Sequence, residues 1–433
     1  MSKVKRKKIV YIPMCADIVH GGHINVIKEG QKLGEVTIGL LTDEAIAGKK
    51  RLPLMSYEQR FEIISSIKGV EKVLPQESSD YRPNLRKLKP DFVVHGNDWR
   101  KEAKQQVLDT ISVWNGTLVE LKYTAGISST LIHKKLKSIG ISPVERLARL
   151  ERLLNAQKTV RVLEAHNGIS ALIVENTRIK NTDGKEEGFD AIWVSSLTDS
   201  LARGKPDTEL VDHTSRVATI NEILEVTTKP LLVDGDTGGH KDHFTHSVRT
   251  LERLGVSAIV IEDKNGRKRN SLHDKPEEHT QDRPEVFASK IKAGIDARVH
   301  DQFMVIARIE SLILGKGLDD AMSRAQTYLE AGASAIMIHS KDKSGNDIKE
   351  FAEAYNRLEN KKPLMMVPTS YNKVAEAELS SWGANIIVYA NHLLRAAYPA
   401  MEKAALSILE NRRAFENESS SISIEEFLKL APE

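Results

Sequence analysis

Cysteine is almost absent from this sequence, and long apolar runs are missing altogether. A single cysteine, Cys15, stands among 433 residues, which excludes an intramolecular disulfide framework and any zinc site built from cysteines. No unbroken apolar run approaches the roughly 18 residues that a membrane-spanning helix needs. The basic residues 2–8 lead directly into a short strand pattern, which argues against a secretory signal. We therefore expect a cytoplasmic protein.

Gly/Ser-rich linkers and recognisable nucleic-acid-binding modules are also missing. A length of 433 residues is too great for one ordinary core and predicts two domains. Charge is unevenly shared: residues 1–140 carry 24 Lys and Arg against 15 Asp and Glu, whereas the remainder carries 39 against 45. A basic first domain favours a nucleotide ligand. We expect small-molecule partners and neither a nucleic acid nor a membrane.

Strand and helix patterns alternate over the first 140 residues. Apolar runs predict strands at 9–14, 36–41, 72–74, 92–95 and 117–121, and amphipathic patterns predict helices at 23–33, 57–67, 101–112 and 128–136. This alternation implies right-handed crossovers and a parallel sheet. We predict a Rossmann-like α/β domain over residues 1–140, with its ligand at the carboxyl ends of the strands.

A charged amphipathic pattern follows Pro143 and predicts a helical linker over residues 141–160. Eight strand candidates then recur, each followed by a helical pattern, starting near residues 163, 191, 230, 258, 304, 335, 364 and 385. Eight such units over about 250 residues are the size of a (β/α)₈ barrel. We therefore predict an α/β protein whose second domain, residues 161–433, is a TIM barrel.

Polar side chains follow the apolar part of four neighbouring barrel strands. In chain order they are Asp234 with Asp236, Glu262 with Asp263, Arg308, and His339. Any one of them could be a satisfied structural residue, but together they indicate an active site, because the carboxyl ends of barrel strands carry the chemistry of this fold. Two carboxylates beside a glycine-rich turn are also suited to Mg²⁺, which keeps several of its waters.

The run Glu262-Asp263-Lys264, followed after five residues by Asn270-Ser271, is the most specific motif of the chain. It places two carboxylates, a cation and a carboxamide at one strand end, which suits a multiply charged substrate beside a metal. The run resembles the EDK(X5)NS signature of phosphoenolpyruvate mutases. From residue 164 to about 399 the chain is similar to the phosphoenolpyruvate mutase/isocitrate lyase superfamily. The further motifs, in family order, are EAHNGIS at 164–170, WVSSL at 193–197, DGDTG at 234–238, RIE at 308–310, HS at 339–340 and NH at 391–392.

The resemblance implies a role for each matching residue. Asp234, Asp236 and Glu262 would hold Mg²⁺, partly through water. The remaining implied roles are pocket shaping by Trp193, Ser195 and Leu197, carboxylate binding by the backbone of Ser196 and Leu197, substrate binding by Lys264, phosphoryl binding by Arg308 and His339, phosphoryl holding by Asn270, and closure over the site by Asp207. Val194 and Ser196 replace two glycines of the family pattern. The family also implies a C-terminal helix exchanged between subunits of a homo-oligomer, a dimer or tetramer.

A second motif, His20-Gly21-Gly22-His23, falls where the first predicted strand turns into the first helix. Two imidazoles near a helix N-terminus can contact the phosphates of a nucleoside triphosphate and stabilise charge at the α-phosphorus. An isolated H-x-x-H pair could instead be a metal pair or a surface feature. With KKRLPLMSYEQR at 49–60, GNDW at 96–99 and TAGISST at 124–130, residues 8–138 resemble the HxGH nucleotidyltransferases of the glycerol-3-phosphate cytidylyltransferase-like branch.

This second resemblance implies that His20 and His23 contact the triphosphate, with Lys49 or Lys50 assisting. The full implied nucleotide-binding set is Asp17, His20, His23, Asp98, Thr124, Gly126, Ile127, Ser128 and Thr130. Two departures from the family pattern stand out: Met14-Cys15-Ala16 precedes the aspartate, and Tyr123 replaces an arginine that would contact phosphate. These departures leave open a slow enzyme, an unusual acceptor or a module that only binds nucleotide.

The domain order resembles the bifunctional mutase–cytidylyltransferases of fosfomycin-type biosynthesis. The implied reactions are isomerisation of phosphoenolpyruvate to 3-phosphonopyruvate, and transfer of CMP from CTP to a small phosphonate, 2-hydroxyethylphosphonate being favoured, with Mg²⁺ at the mutase site and with CTP. Three alternatives stay open: 2-aminoethylphosphonate as the acceptor, a nucleotide-sensing first domain, and a phosphonopyruvate hydrolase. An isocitrate-lyase-type reaction is disfavoured because it needs a cysteine in the gating loop, whereas Cys15 lies in the other domain.

Overall fold

The computed structural model describes residues 6–47, 52–97, 99, 101–121, 141–180, 186–266, 268–271 and 280–430. They fall into two compact units, one centred on residues 6–121 and the other on 141–430, with small exchanges at 155–157 and 186–187. None of the described helices is both long and apolar enough to span a bilayer.

Five parallel strands form the sheet of the first unit. In spatial order they are Val70–Gln76, Glu35–Leu41, Ile9–Met14, Phe92–Gly96 and Thr117–Leu121. Side chains alternate across the central strand, so that Val10, Ile12 and Met14 join one apolar cluster and Tyr11 joins the cluster on the other face. The predicted Rossmann-like fold is confirmed. The strand order reverses beside Ile9–Met14, and a ligand crevice belongs at that point of such a sheet.

The described helices of the first unit are Gly21–Gln31, Asp43–Ala47, Tyr57–Ser65, Arg82–Leu88 and Lys101–Ser112. Tyr57–Ser65 begins at a capping box, in which Ser56 and Gln59 each bond the other's backbone N–H. The helices Asp43–Ala47 and Arg82–Leu88 were not predicted, because five and seven residues are too few to show a clear helical period. The predicted helix at 128–136 lies outside the described residues.

Eight parallel strands close the barrel of the second unit, as predicted. In order around the barrel they are Val160–Glu164, Ala191–Val194, Leu231–Asp234, Ala258–Glu262, Met304–Ile309, Ala335–Ile338, Leu364–Met366 and Ile386–Tyr389. The first and last strands pair directly, with Val388 beside Val162. Because all eight run in parallel, their carboxyl ends meet at one rim.

Helices surround this barrel, and two short ribbons extend from it. The helices are Pro143–Ala156, Gly168–Asn176, Ser196–Ala202, His213–Val226, Lys241–Leu254, Pro284–Ala297, Gly317–Glu330, Asn346–Tyr355, Glu376–Trp382, His392–Asn411 and Ile424–Leu428, with a 3₁₀ helix at Phe415–Ser420. One ribbon pairs Arg178–Lys180 with Glu186–Gly188, and the other pairs Lys264–Asn265 with Thr280–Gln281. The second ribbon directly follows the strand that ends at Glu262, so it positions the segment that carries Asn270.

The helix Pro143–Ala156, which falls within the predicted linker, packs on the barrel. Its Leu147, Leu150 and Leu153 are buried, and the Ser257 hydroxyl donates a hydrogen bond of 2.8 Å to the Arg146 carbonyl. The spacing of three residues between these leucines puts them on one helix face. This helix therefore belongs structurally to the second unit.

Candidate active sites

A cavity opens at the carboxyl-terminal rim of the barrel. Its walls include the sequence-predicted residues Trp193, Ser195, Ser196, Leu197, Asp207, Asp234, Glu262, Asn270, Arg308 and His339. These side chains come from strands and loops separated by up to 146 residues, and the closed barrel brings their strand ends together. Asp236 and Lys264, also predicted, do not line this cavity. Lys268, Ser271 and Asn391 do line it and were not predicted.

Asp234 and Asp236 are both buried at the end of the third barrel strand. The Ser196 hydroxyl donates to Asp234 Oδ2 at 2.8 Å, and the Arg216 guanidinium donates to Asp236 Oδ2 at 2.7 Å. Burial would raise the pKa of Asp234, but the charges of Lys268, Arg308 and Arg216 outweigh it and lower the pKa. Asp236 holds a left-handed φ of 54°, a conformation that costs free energy in a non-glycine residue and concentrates at functional sites. Both groups are therefore ready-made anionic ligands.

Glu262 is the third predicted metal ligand. Burial is the main reason that its pKa is raised to about 7, despite the opposing charges of Arg308 and Lys264. Its Oε2 lies 3.3 Å from the Arg308 guanidinium, and its buried Oε1 lies 3.2 Å from the Lys264 ammonium. A carboxylate at this position also suits coordination of a cation or of a metal-bound water.

A lysine that was not predicted already places a positive charge among the carboxylates. The Lys268 ammonium donates to Ser196 Oγ at 2.5 Å, to Asp207 Oδ1 at 2.8 Å and, through a short contact, to Asp236 Oδ1. Its side chain is only 4% exposed. The three carboxylates and the positive charge among them fit a divalent metal held partly through water, as the family resemblance implies. Among the described residues no three acidic or histidine side chains are close enough to ligate an ion directly.

The opposite wall of the cavity suits a phosphoryl group. The Arg308 guanidinium donates to Ser271 Oγ at 2.8 Å and lies 3.0 Å from His339 Nδ1, and it also forms a short ion pair with Glu310. Burial and the Arg308 charge lower the pKa of His339, so its ring is neutral. The same Nδ1 lies 3.2 Å from the Glu310 carboxylate, so the ring is held between a cation and an anion at the edge of the cavity.

Asn270 and Asp207 meet across the cavity, where the Asn270 amide donates to Asp207 Oδ2 at 2.9 Å. Lys264 lies behind them. Its ammonium donates to Ser271 Oγ at 2.7 Å and to the Arg269 carbonyl at 2.8 Å, and it lies 3.2 Å from Glu262. Lys264 therefore positions the Asn270 segment from outside the cavity. Its place in the motif pointed to the site but could not show this orientation.

The two histidines of the first unit lie together at the start of helix Gly21–Gln31, with ring centroids 4.1 Å apart. The Nδ1 of His20 accepts from the Gly22 amide at 3.1 Å, and the Nδ1 of His23 accepts from the His20 amide at 3.3 Å. Burial, with a smaller contribution from His20, lowers the pKa of His23 to about 4. Both Nδ1 atoms are acceptors, so each neutral ring carries its proton on Nε2.

Asp17 is buried beside these histidines and accepts from the backbone amides of Leu54 at 2.7 Å and Met55 at 3.3 Å. Asp17 thus holds the backbone of Leu54 and Met55, shortly after residues 48–51. The other predicted nucleotide and phosphate contacts, namely Lys49, Lys50, Asp98, Thr124, Gly126, Ile127, Ser128 and Thr130, lie outside the described residues.

A crevice lies across the central strand from the histidine helix, lined by Met14, Cys15, Tyr81, His95 and Trp99 among others. The His95 and Trp99 rings are in tilted contact with centroids 3.9 Å apart, and Tyr81 meets Trp99 edge-on. The buried Trp99 Nε1 has no hydrogen-bond partner among the described residues. Sequence reasoning noted GNDW only as a family motif and missed this crevice, because its walls come from four separate strand ends.

The structure combines a parallel (β/α)₈ barrel, whose rim cavity holds carboxylates and cations, with a Rossmann-like α/β domain that carries a histidine pair at a helix start. Comparison with known families makes this specific: residues 150–409 match the phosphoenolpyruvate phosphomutase model, and residues 11–135 match the cytidylyltransferase-like model. The chain belongs to the phosphoenolpyruvate phosphomutase family and carries a cytidylyltransferase-like N-terminal domain.

Similar proteins include both mutases and a hydrolase. The chain is 34% identical to a phosphoenolpyruvate phosphomutase of Tetrahymena pyriformis, over 70% of this chain and 96% of the relative. It is 32% identical to a phosphonopyruvate hydrolase of a Variovorax species, over 65% and 93%.

Solved structures give the same picture. A phosphoenolpyruvate phosphomutase of Streptomyces platensis superposes with a TM-score of 0.61 at 34% identity, covering 66% of this chain and 94% of that one. A phosphonopyruvate hydrolase complex with oxalate and Mg²⁺ superposes with a TM-score of 0.58 at 31% identity, covering 67% and 95%.

Proposed function

We propose that the barrel interconverts phosphoenolpyruvate and 3-phosphonopyruvate. The observation that carries this proposal is the pairing of Asn270 with Asp207 above a cavity that has carboxylates on one wall and Arg308 with His339 on the other. The two walls match a substrate with an enolate–carboxylate end and a phosphoryl end. Hydrolysis of phosphonopyruvate is the second candidate, favoured by the similarity to the hydrolase.

In the reaction the bond between phosphorus and the enol oxygen breaks, and a bond forms between phosphorus and C3 of the same pyruvate enolate. The enol oxygen becomes the keto oxygen, so no other group enters or leaves. A loose transition state of this kind needs positioning and charge stabilisation rather than a strong base. Mg²⁺ held by Asp234, Asp236 and Glu262, partly through water, would neutralise charge on the enolate and the carboxylate.

The remaining roles fall to side chains at the other wall. Arg308 and His339 bind phosphoryl oxygens, and the Asn270 amide holds the group while it passes from oxygen to carbon. Asp207, which accepts from Asn270, fixes that amide over the cavity. Water must be excluded during the transfer, because a water molecule that captures the phosphoryl group would make the enzyme a hydrolase.

Phosphorus NMR of the purified protein with Mg²⁺ and phosphonopyruvate distinguishes the two candidates. A mutase gives phosphoenolpyruvate at equilibrium, whereas a hydrolase gives inorganic phosphate and pyruvate. Phosphate appearing with no phosphoenolpyruvate would refute the mutase. Asp234→Asn serves as the inactive control, because it removes one ligand charge and keeps the side-chain shape.

We propose that the first domain transfers CMP from CTP to a small phosphonate, with 2-hydroxyethylphosphonate favoured and 2-aminoethylphosphonate the alternative. The Nε2–H groups of His20 and His23 would stabilise the triphosphate. In-line attack at the α-phosphorus places the acceptor opposite the leaving pyrophosphate. The crevice beside Tyr81, His95 and Trp99 lies across the central strand from the histidine helix and is where we place the acceptor. Mg²⁺ bound to CTP would neutralise the pyrophosphate.

Pyrophosphate release from CTP with either phosphonate tests this second activity. Replacing His20 and His23 together by Ala should abolish release and leave the mutase unchanged. Trp99→Phe should raise the KM for the acceptor more than that for CTP. CTP binding without release in either mixture would refute transfer and favour a nucleotide-sensing domain.

A further inference from the structure

Ser196 lies at the start of helix Ser196–Ala202, directly after the second barrel strand, and is only 2% exposed. The second strand pairs in parallel with the third, with Val194 beside Val233, so their ends bring Ser196 next to Asp234 although 38 residues separate the two along the chain. The Ser196 hydroxyl donates to Asp234 Oδ2 at 2.8 Å. The family pattern has a glycine at this position, so the resemblance assigns no role to the hydroxyl.

We infer that Ser196 is a positioning residue whose hydroxyl orients the Asp234 carboxylate for Mg²⁺, while its backbone amide serves the substrate. The inference rests on the proposed Mg²⁺ site. In this role the hydroxyl acts on the reaction through Asp234 and not by touching the reacting atoms. A group that hydrogen-bonds a metal ligand in this way typically changes metal affinity by a factor of about 10 to 100.

Hydrogen bonds reach both oxygens of the Asp234 carboxylate. Oδ1 accepts from the backbone amide of Asp236 at 3.1 Å, and Oδ2 accepts from the hydroxyl of Ser196 at 2.8 Å and from its amide at 3.4 Å. Among the described residues, Ser196 supplies the only side-chain hydrogen bond to this carboxylate. The amide distance exceeds the range of about 2.7–3.2 Å that is typical of such a bond. The hydroxyl is therefore the main group that fixes the rotation of the carboxylate.

The direction of the hydroxyl proton follows from its two neighbours. The Lys268 ammonium lies 2.5 Å from Ser196 Oγ and can only donate, so the oxygen accepts from it. A carboxylate has only acceptors, so the Ser196 proton points at Asp234. A serine hydroxyl has one proton to donate, and its use on Asp234 leaves none for a substrate oxygen. The hydroxyl is therefore not a substrate-binding donor.

A glycine at position 196 would keep only the amide. That amide would then serve both Asp234, at 3.4 Å, and the substrate carboxylate that the family resemblance assigns to it. The serine separates these two tasks, because its hydroxyl and its amide are different donors on one residue. We therefore expect the hydroxyl to change metal affinity and to leave the KM for substrate at saturating metal nearly unaffected.

Binding of Mn²⁺, followed by the loss of its free-ion EPR signal, tests the inference without turnover. Ser196→Ala removes the hydroxyl and keeps the amide, and we expect it to weaken Mn²⁺ binding about tenfold or more. Ser196→Gly removes the same group and should weaken binding as well. Ser200→Ala is the matched control, because Ser200 is a buried serine of the same helix that does not line the cavity, and it should leave binding unchanged. Equal or tighter binding by Ser196→Ala would overturn the inference.

Kinetics with phosphonopyruvate at several Mg²⁺ concentrations separate this role from a merely structural one. The kcat and KM of Ser196→Ala should approach those of the wild type once Mg²⁺ is saturating, and the Mg²⁺ requirement alone should rise about tenfold. A kcat that stays low at saturating Mg²⁺, with unchanged Mn²⁺ affinity, would contradict the inference.

Failure of the proposed function gives a different result. The rate can be followed whether the product is phosphoenolpyruvate or inorganic phosphate, so the test does not depend on the mutase assignment. If the wild type binds no Mn²⁺, or if Asp234→Asn binds it as tightly as the wild type, the metal site itself is wrong.

Discussion

Neutral histidines recur at the residue scale in both units. Burial lowers the pKa of His339, and the adjacent Arg308 lowers it further. Burial likewise lowers the pKa of His23 to about 4. A neutral imidazole keeps an N–H donor without the cost of burying a charge. In the barrel cavity the positive charge therefore comes from Arg308 and Lys268, while His339 can orient a substrate oxygen through a hydrogen bond.

Asn270 offers the sharpest test of the mutase proposal at this scale. Asn270→Ala removes the amide that would hold the phosphoryl group in transit, and we expect kcat to fall about 10²-fold or more. Phosphorus NMR should show a larger share of inorganic phosphate among the remaining products. Asn176→Ala, on an exposed helix end, is the control. A rise in KM alone, with kcat intact, would mean that Asn270 only binds substrate.

His23 makes a stability prediction with a definite sign. Its folded pKa of about 4 lies below the usual 6.5, so between these values the unfolded chain takes up a proton that the folded chain does not. The free energy of unfolding is therefore unaffected by His23 above pH 6.5. As the pH falls from 6.5 towards 4, protonation of His23 in the unfolded chain lowers the free energy of unfolding by at most about 3 kcal/mol. Urea denaturation should show a steeper loss of stability between pH 6.5 and 4.5 for the wild type than for His23→Gln. Parallel losses would contradict the lowered pKa.

At the element scale, the ribbon Lys264–Asn265 with Thr280–Gln281 depends on the buried Asp263. This carboxylate accepts from Gln281 at 2.8 Å, from the Tyr328 hydroxyl at 2.8 Å and from the Glu310 amide at 3.0 Å. Arg324 pairs with it at 3.2 Å. Burial raises the pKa of Asp263 to about 6 even with these donors. One residue of the motif thus joins the ribbon to the strand that carries Arg308.

Tyr328→Phe tests whether Asp263 holds the ribbon against the barrel strand. It deletes a donor to a buried carboxylate, so the free energy of unfolding should fall by about 1–3 kcal/mol. Mutase kcat should fall as well, because the Asn270 segment is less firmly placed. Tyr355→Phe is the matched control: that hydroxyl is also buried and donates to the Lys362 carbonyl at 2.9 Å, away from the cavity. Equal effects of both variants on kcat would show that Asp263 has no special role.

The strands and the lysine contacts show what a sequence can and cannot predict. All eight barrel strands were predictable because each is a short, buried and mainly apolar run, and four neighbouring strands also end in polar residues. Once the strands are predicted, the residues directly after them are predicted to lie on the carboxyl-terminal rim of the barrel. Lys268 and Arg216 were missed because their partners lie far away along the chain, in other loops and helices. The separation is 72 residues for Lys268 and Ser196 and 20 residues for Arg216 and Asp236, and no local pattern encodes such contacts. Ser196 was predicted to bind the substrate carboxylate through its backbone, and the sequence did not predict that its hydroxyl bridges Lys268 and Asp234.

At the scale of the whole molecule, the last long helix leaves an apolar surface uncovered. None of the residues of His392–Asn411 is buried, and Tyr398, Met401 and Leu409 are 63%, 59% and 58% exposed. The chain continues with exposed Phe415 and Leu428. An uncovered apolar patch of this kind marks an interaction surface. A second copy of the chain, exchanging this helix as the family resemblance implies, is the occupant that we expect.

Light scattering after size-exclusion chromatography tests this assembly. The wild type should elute as a dimer or tetramer, and changing Leu406 and Leu409 together to Lys should give a smaller particle, because two buried charges at an apolar interface are costly. Glu402→Gln, an exposed change on the same helix, should leave the assembly intact. Mutase activity should fall with the assembly, since the Leu394 amide at the start of this helix donates to the buried Glu164 at 2.9 Å, on the first barrel strand. A wild type that is monomeric at micromolar concentration would contradict the exchange of this helix between copies.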